Sequence, residues 1–440
     1  MFLDELLRNK LFFWQDRLHG GLVTAGLDRL ETFSTLSEQQ KTSSMEKKWH
    51  MLREDITQNV PFYLKYNKIN TLYDYPVVNK KAIADAPADF LHTEYSNIRL
   101  FAIRTSGSYG TPITFYLNRL KMKSRLAEVI YYGRKSGCDV GIRHGYFRTF
   151  CDKSKYKLWR QNETFFNSKI LDDSFLVEAN SLIIHRKIKS LIGFPSAISY
   201  LASYCMDKES NPAKKYHVSG VITQSENLSK NQREVISEAF HCPVHNRYST
   251  EEFGVLGMEY DQESGFEMNC CNYIIEVLDL HKDEPVKEGE IGRVVVTDLH
   301  SNAMPLVRYE TGDLAIVGSY LDNERRWVGN LSELSGRTVQ ILFNTKGNPL
   351  YPLHLDEIMD PYHSIAQYQL IQQGQKDYTI KLVLGKKFQE RTFDIDKLKA
   401  ELNQWLGDDA LITITYVEDI EQLPSGKRPY IINKYQTFKA

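Results

Sequence analysis

The sequence predicts an α/β (α+β) protein of a large N-terminal domain and a small C-terminal one, and three observations predict it. The first hundred residues read as mostly helical, the third quarter is dominated by compact runs of branched residues, and the last hundred return to alternating strand and helix patterns. At 440 residues, with 42% hydrophobic and 25% charged residues, the chain is long enough to bury more than one apolar core. A formal net charge of -1 removes any global electrostatic attraction to nucleic acid. No apolar run reaches the roughly 18–20 residues that span a bilayer, and no basic start with a small-residue cleavage site opens the chain, so a cytoplasmic protein without a transmembrane segment is expected.

Taken in order, Phe2 to Trp14 carries Leu3, Leu6, Leu7, Leu11, Phe12, Phe13 and Trp14 between charges, which predicts an amphipathic helix. Packing of its apolar face against its own domain is the expectation, with attachment to a membrane surface as the alternative. A polar segment near Thr32 to Ser44 and the proline at Asn59-Val-Pro-Phe-Tyr63 break the helical region. Lys121 to Ser136 has helical spacing, Ser181 to Tyr204 reads as a strand and helix joined by Gly193-Phe-Pro-Ser196, and Val218 to Thr223 as a short buried strand.

From Tyr273 the pattern turns to β. Tyr273 to Leu278, Gly292 to Thr297 and Leu314 to Val317 are strands separated by polar turns. A strand at Thr379 to Leu384, a helix at Asp394 to Leu406 and a strand at Leu411 to Val417 form the terminal α+β domain. The boundary falls at Ser335-Gly336-Arg337, giving domains 1–335 and 336–440. The six cysteines lack the dense spacing of a disulfide framework. Cys242-x-x-His245 and Cys270-Cys271 offer zinc-ligand types, but adjacent cysteines chelate one ion poorly and no second CxxC pair exists.

Several segments carry chemistry. Thr105-Ser-Gly-Ser-Tyr-Gly-Thr-Pro112 crowds hydroxyls and glycines into one loop after the apolar run Leu100-Phe-Ala-Ile103. Glycine lets backbone N–H groups approach a phosphate, and hydroxyls add donors, although such a cluster also makes an ordinary turn. Arg247-Tyr-Ser-Thr-Glu251 sets an aromatic ring, hydroxyls and a carboxylate together, able to stack on a base, bond a phosphate and hold Mg²⁺. Arg308-Tyr-Glu-Thr-Gly-Asp313 ends a β-rich stretch in a carboxylate able to accept both hydroxyls of a ribose, or in a capped turn. Gly336-Arg337 stands at the domain boundary, and Pro424-Ser-Gly-Lys427 presents a late lysine. Neither a P-loop spacing nor a GxGxxG that opens a helix is present.

In this order the segments resemble the adenylate-forming superfamily, and its phenylacetate–coenzyme A ligase-like branch in particular. Asn59-Val-Pro-Phe-Tyr63, Pro76-Val-Val-Asn-Lys80, Gly193-Phe-Pro-Ser196 and Asn302-Ala-Met-Pro-Leu-Val-Arg-Tyr309 are similar to that branch outside the site. Within it the chain looks closest to the capsular polysaccharide biosynthesis (CapK-like) members.

The resemblance implies activation of a carboxylic acid at the α-phosphate of ATP, with pyrophosphate released, then acyl transfer to coenzyme A, a carrier thiol or an amine. It further implies that Thr105, Ser106, Gly107, Ser108 and Gly110 cradle phosphates, that Thr250 bonds the α-phosphate and that Glu251 holds Mg²⁺. Tyr248 and Ser249 belong to the aromatic-hydroxyl motif, and Ser225 and Glu226 flank the adenine and acyl pocket. Asp313 binds the ribose, Arg337 contacts the nucleotide, and Lys427 bridges the carboxylate and α-phosphate from a mobile small domain.

The chain departs from the branch at Thr111, where relatives carry lysine, at Arg247-Tyr248 in place of Tyr-Gly, and at Val339-Gln340 in place of an acidic pair. The run Arg143 to Arg160, with Arg148, Lys153, Lys155 and Lys157, holds cations that could replace the missing lysine, or a solvated face. Transfer of AMP itself to an acceptor, and a catalytically weakened nucleotide-binding protein of a polysaccharide assembly, are the other readings.

Overall fold

The computed structural model describes residues 3–95, 98–105, 113–208, 215–301, 303–337, 341–362, 364–384, 394–423 and 427–435. The chain divides into two compact units, Met1–Lys135 with Arg247–Leu334, and Ser136–Asn246 with Ser335–Ala440.

The first unit begins with helices Leu3–Leu18, Leu22–Ser34 and Glu38–Asn59. Ser37 starts the third with a reciprocal capping box to Gln40, and Pro61 follows its end, where the missing N–H and fixed φ suit a new 3₁₀ turn, Pro61–Tyr66. The expected burial of the first helix's apolar face does not occur. Leu3, Leu7, Leu11, Trp14 and Leu18 are exposed, while the residues that it buries are Glu5 and Asp16. The reason lies in the next helix. Asp16 accepts hydrogen bonds from the N–H groups of Val23 (3.2 Å) and Thr24 (2.9 Å), satisfying orphan donors of the Leu22–Ser34 first turn, and that bond fixes which face turns inward.

An antiparallel hairpin, Phe101–Arg104 with Thr114–Leu117, leads into helix Arg119–Lys135. The strands Tyr273–Leu278, Ile291–Asp298, Tyr309–Tyr320, Val328–Arg337, Phe266–Met268 and Gly254–Glu259 are neighbours in that order. Segments that resembled the family outside the site have a packing role here. The Val78 N–H donates to Arg308 O at 2.8 Å and the Glu310 N–H to Val78 O at 2.9 Å, so Pro76 to Lys80 pins the start of the strand that carries Asp313. Arg308, buried and at φ 48°, donates to both carboxylate oxygens of buried Glu276 (3.2 and 3.0 Å) and to the carbonyls of Tyr73 and Tyr75. Its charge is thereby paired and bonded, which a buried guanidinium requires.

The second unit holds a parallel sheet in the order Gly220–Gln224, Ser190–Gly193, His144–Arg148, Glu163–Asn167. Helices Asp173–His185, Pro195–Lys208 and Lys230–Phe240 pack against it around Phe147, Ile183, Leu191, Leu201 and Ile236. Parallel strands covered by helices read as unbroken apolar runs, which is why Ser190–Gly193 is wholly buried. Its later part is a four-stranded sheet, Leu411–Tyr416, Asp377–Leu384, Ile365–Gln372 and Ile431–Asn433, with helices Leu353–Met359 and Ile395–Leu406 enclosing a core of Leu355, Leu370, Ile380, Leu398 and Leu402. The whole is a mixed α/β fold with a C-terminal α+β part. Among the described residues no helix is long and apolar enough to cross a membrane.

Candidate active site

In the first unit Thr105 closes the base of the hairpin. Its N–H donates to Ile113 O at 3.0 Å, and its hydroxyl accepts from the Ile113 N–H at 3.1 Å. The intervening Ser106, Gly107, Ser108, Gly110 and Thr111 lie outside the described residues. Tyr248, on strand Val244–Thr250, is buried, and its hydroxyl donates to Asp313 Oδ2 at 2.8 Å. Tyr248 and Asp313, 65 residues apart, therefore meet side chain to side chain. A carboxylate has about four lone-pair sites, so this bond leaves Asp313 acceptor capacity for ligand hydroxyls.

Ser249 and Thr250 are half-buried, and Thr250 Oγ1 accepts from the Phe253 N–H at 3.3 Å, turning the chain out of the strand. Glu251 is exposed, with Arg125 Nη2 at 3.6 Å from its carboxylate. Behind this turn stands helix Arg119–Lys135, which sends Lys121, Arg125 and Glu128 toward it from one face. Glu128 Oε2 accepts from the Val255 N–H (3.0 Å), and Oε1 accepts from Asn272 Nδ2 (2.6 Å) and the Tyr273 hydroxyl (2.9 Å). Buried Lys121 meets Asp298 at 2.6 Å and the Tyr273 oxygen at 3.0 Å.

Burial pushes the Glu128 carboxyl up, and the nearby Lys121 ammonium works against that rise. Gly254 makes the approach possible. At φ +125° it adopts a conformation that L side chains rarely reach, and a Cβ there would collide with the Glu128 carboxylate. Sequence reasoning missed Arg125 and Glu128, which fall with Lys121 at helical spacing on the face that also carries buried Tyr132.

Ser225, Glu226 and Lys427 belong to the second unit. Ser225 sits in the left-handed region at φ 70°, which turns the chain sharply after strand Gly220–Gln224. Glu226 accepts from the Ser196 N–H (3.3 Å) and from the Arg428 N–H (3.0 Å), so its carboxylate fastens the residue after Lys427. Loss of hydration pushes the Glu226 carboxyl up, against these two donors. Half-buried Lys427 accepts the Leu423 N–H at 2.9 Å through its carbonyl, and Arg428 pairs with Asp419 through two nitrogens at 3.1 and 2.9 Å. An open cleft of about 80 Å³ beside this segment is lined by Ser196, Glu226, Asp356, Tyr368 and Arg428. The Arg337 side chain and residues Val339 and Gln340 lie outside what is described.

Arg148 and Lys153, of the run Arg143 to Arg160, have partners of their own, whereas Lys155 and Lys157 are exposed. Arg148 lies 3.9 Å from the centre of the Tyr146 ring, and Lys153 meets Glu163 at 2.5 Å, with His144 at 3.2 Å from the same carboxylate oxygen. Burial raises the Glu163 carboxyl, but His144 and Lys153 outweigh it and bring it down to about 2. Among the described residues no group of three or more His, Cys, Asp or Glu side chains is placed to hold a metal ion.

Residues 342–434 match the family model described as the CapK C-terminal domain. Protein CapK of Staphylococcus aureus is 23% identical over 398 residues, 86% of each chain, and the phenylacetate-coenzyme A ligase of Thermus thermophilus is 27% identical over 143 residues, 32% of each. In fold the chain is similar to 2-hydroxyisobutyryl-CoA ligase in its postadenylation state, with a TM-score of 0.69 at 15% identity over 91% of each chain. It is also similar to ATP-bound MatB from Rhodopseudomonas palustris, with a TM-score of 0.53 at 16% identity over 74% of this chain and 65% of that one. The chain is thus similar over most of its length to protein CapK, over about a third of it to a phenylacetate-coenzyme A ligase, and has the fold of the acid–CoA ligases.

Proposed function

We propose that this protein is an ATP-dependent ligase that activates a carboxylic acid as acyl-AMP, releases pyrophosphate and passes the acyl group to coenzyme A, a carrier thiol or an amine. The observation that supports this reading most is the 2.8 Å bond from Tyr248 to Asp313, the two side chains to which we assign the base and the ribose. A carboxylate is a poor acyl donor and the mixed anhydride a good one. Positioning the two reactants and neutralising phosphate charge are therefore the protein's main tasks.

In this reading Thr105 anchors the loop that receives phosphates, Ser249 and Thr250 supply hydroxyls to them, and Asp313 accepts ribose hydroxyls. A magnesium ion that travels with nucleotide phosphates takes about one or two protein carboxylates, so exposed Glu251 is suited to it, and the ion would neutralise phosphate charge. Arg125, beside Glu251, is the cation we assign in place of the lysine missing at Thr111. Lys427, on a C-terminal domain that begins at 336, donates to the acid and α-phosphate oxygens, and Arg337 meets the nucleotide. Similarity to CapK favours an acid or acceptor of capsular or surface polysaccharide assembly.

Pyrophosphate exchange across a panel of carboxylic acids tests the proposal. Acid-dependent exchange is expected, falling about a hundredfold or more in Lys427→Ala and less in Glu251→Gln. Thr111→Lys is expected to speed exchange and to rescue Arg125→Ala. ATP binding without exchange for any acid would make the chain a binding protein, and AMP retained on an acceptor would make it a nucleotidyl transferase.

A further inference from the structure

Helix Leu3–Leu18 presents outward what a soluble helix hides. Leu3 (75% exposed), Leu7 (59%), Leu11 (47%), Trp14 (58%) and Leu18 (63%) recur at spacings of three and four, so they form one stripe along the solvent side. Scattered exposed leucines need no explanation, but a continuous apolar stripe marks a surface that is covered in use. The charges are sorted as well. Glu5 and Asp16 are turned inward, and Asp16 is committed to the N–H groups of Val23 and Thr24, whereas Lys10 and Arg17 are exposed along one border of the stripe. The exposed residues of the helix are leucine, tryptophan and basic residues, while Asp4, Asn9, Phe12, Phe13 and Gln15 are half-buried.

We propose that this face lies on an anionic lipid bilayer, with the helix in the plane of the surface. Leucines enter the acyl boundary, Trp14 sits at headgroup depth, and the flexible stems of Lys10 and Arg17 carry their charges to lipid phosphates. A second copy of the chain is the weaker occupant. The 16-residue helix is about 24 Å long and its stripe is one side chain wide, a narrow contact against the roughly 800 Å² per partner of a stable interface. This inference goes beyond the ligase reading and does not depend on it.

Co-sedimentation of the full chain with phosphatidylcholine vesicles, with and without phosphatidylglycerol, tests it. The expected result is binding to the anionic vesicles that is roughly tenfold or more above that to the neutral ones and is weakened by salt. Leu7→Glu with Leu11→Glu is expected to abolish binding. Lys10→Glu with Arg17→Glu, which leaves the apolar stripe whole, is expected to cost about tenfold or more on anionic vesicles alone. Quenching of wild-type fluorescence by brominated lipid, lost in Trp14→Phe, would locate the contact at this helix. All these residues are exposed, so the circular dichroism and melting temperature of the variants are expected to match wild type. Absence of binding to either vesicle, or equal binding to both, overturns the proposal, as would a dimer in sedimentation equilibrium that Leu11→Glu splits.

Discussion

The turn after Tyr248 and the segment around Lys427 pose the same physical problem, a functional loop that must be held in place, and the two units solve it in opposite ways. In the first unit the turn rests on buried charges. Lys121, Asp298, Glu128, Tyr273 and Asn272 form a side-chain network whose final link is the Glu128 carboxylate on the Val255 N–H. In the second, a single carboxylate, Glu226, grips the backbone N–H of Arg428, and the guanidinium of Arg428 reaches half-exposed Asp419. A buried network is costly to disturb and holds its geometry, while a backbone clasp on a half-exposed segment gives way at small cost. The turn after Tyr248 is thus built as a fixed surface, and the segment around Lys427 as one that releases.

The sharpest way to break this contrast is Lys121→Met. It leaves Asp298 and Glu128 buried beside no cation, and loss of one partner of a buried pair costs about 3–5 kcal/mol, a large share of a domain's stability. Urea unfolding is expected to show that loss, with part of it recovered by adding Asp298→Asn. A loss under about 1 kcal/mol would mean that the network is hydrated and the contrast false.

Glu163 supplies the next effect and lies in the second unit, so it tests whether buried pairing belongs to the first alone. Its carboxyl is brought from an ordinary 4.5 to about 2 by His144 and Lys153. A depressed carboxylate stabilises the folded state above its unfolded pKa, and that stability is lost as pH falls from 4.5 toward 2. Glu163→Gln is expected to cost roughly 2–3 kcal/mol at neutral pH and to lose its disadvantage over that acidic window, measured by thermal unfolding against pH.

How far this was legible in the sequence depends on what was being read. The strand Tyr273–Leu278 emerges with the bounds its branched residues announce, and Asp394 caps a helix where the pattern begins one. Tyr248 and Asp313, two residues that the order of motifs singles out, lie side by side. The support behind them was illegible for a physical reason. Periodicity distinguishes apolar from polar faces, and a polar face is read as wet, so Lys121 and Glu128 register as surface when both are fully buried. Helix Leu3–Leu18 fails in the same way with opposite sign, since the partner that draws Asp16 inward is the next helix's first turn.

Tyr248→Phe tests the site itself. It removes one bond to a charged acceptor, about 1–2 kcal/mol, and leaves the ring in place. If Asp313 holds the ribose in ground and transition states alike, KM for ATP is expected to rise roughly threefold to tenfold with kcat unchanged. A fall in kcat alone would place Tyr248 closer to the chemistry.

The smallest effect, Glu226→Gln, is the most specific probe of the clasp. Glutamine keeps one carbonyl acceptor for two N–H donors, which costs about 1 kcal/mol, but it removes a carboxylate whose ionised form is poorly hydrated. The net change near neutrality is therefore expected to stay within about 1 kcal/mol, and the signature is in the pH dependence. A carboxyl raised above its ordinary 4.5 favours the folded state at low pH, and that contribution is lost as pH rises through the folded value. Wild-type stability should carry this decline above pH 4.5, opposite in slope to that of Glu163 below it, and Glu226→Gln should show a shallower one, with the shares of Glu128 and Glu276 left. A variant that keeps the full decline would show that the clasp is already ionised and strong. The segment around Lys427 would then be held as firmly as the turn after Tyr248, and the contrast between the two units would fail.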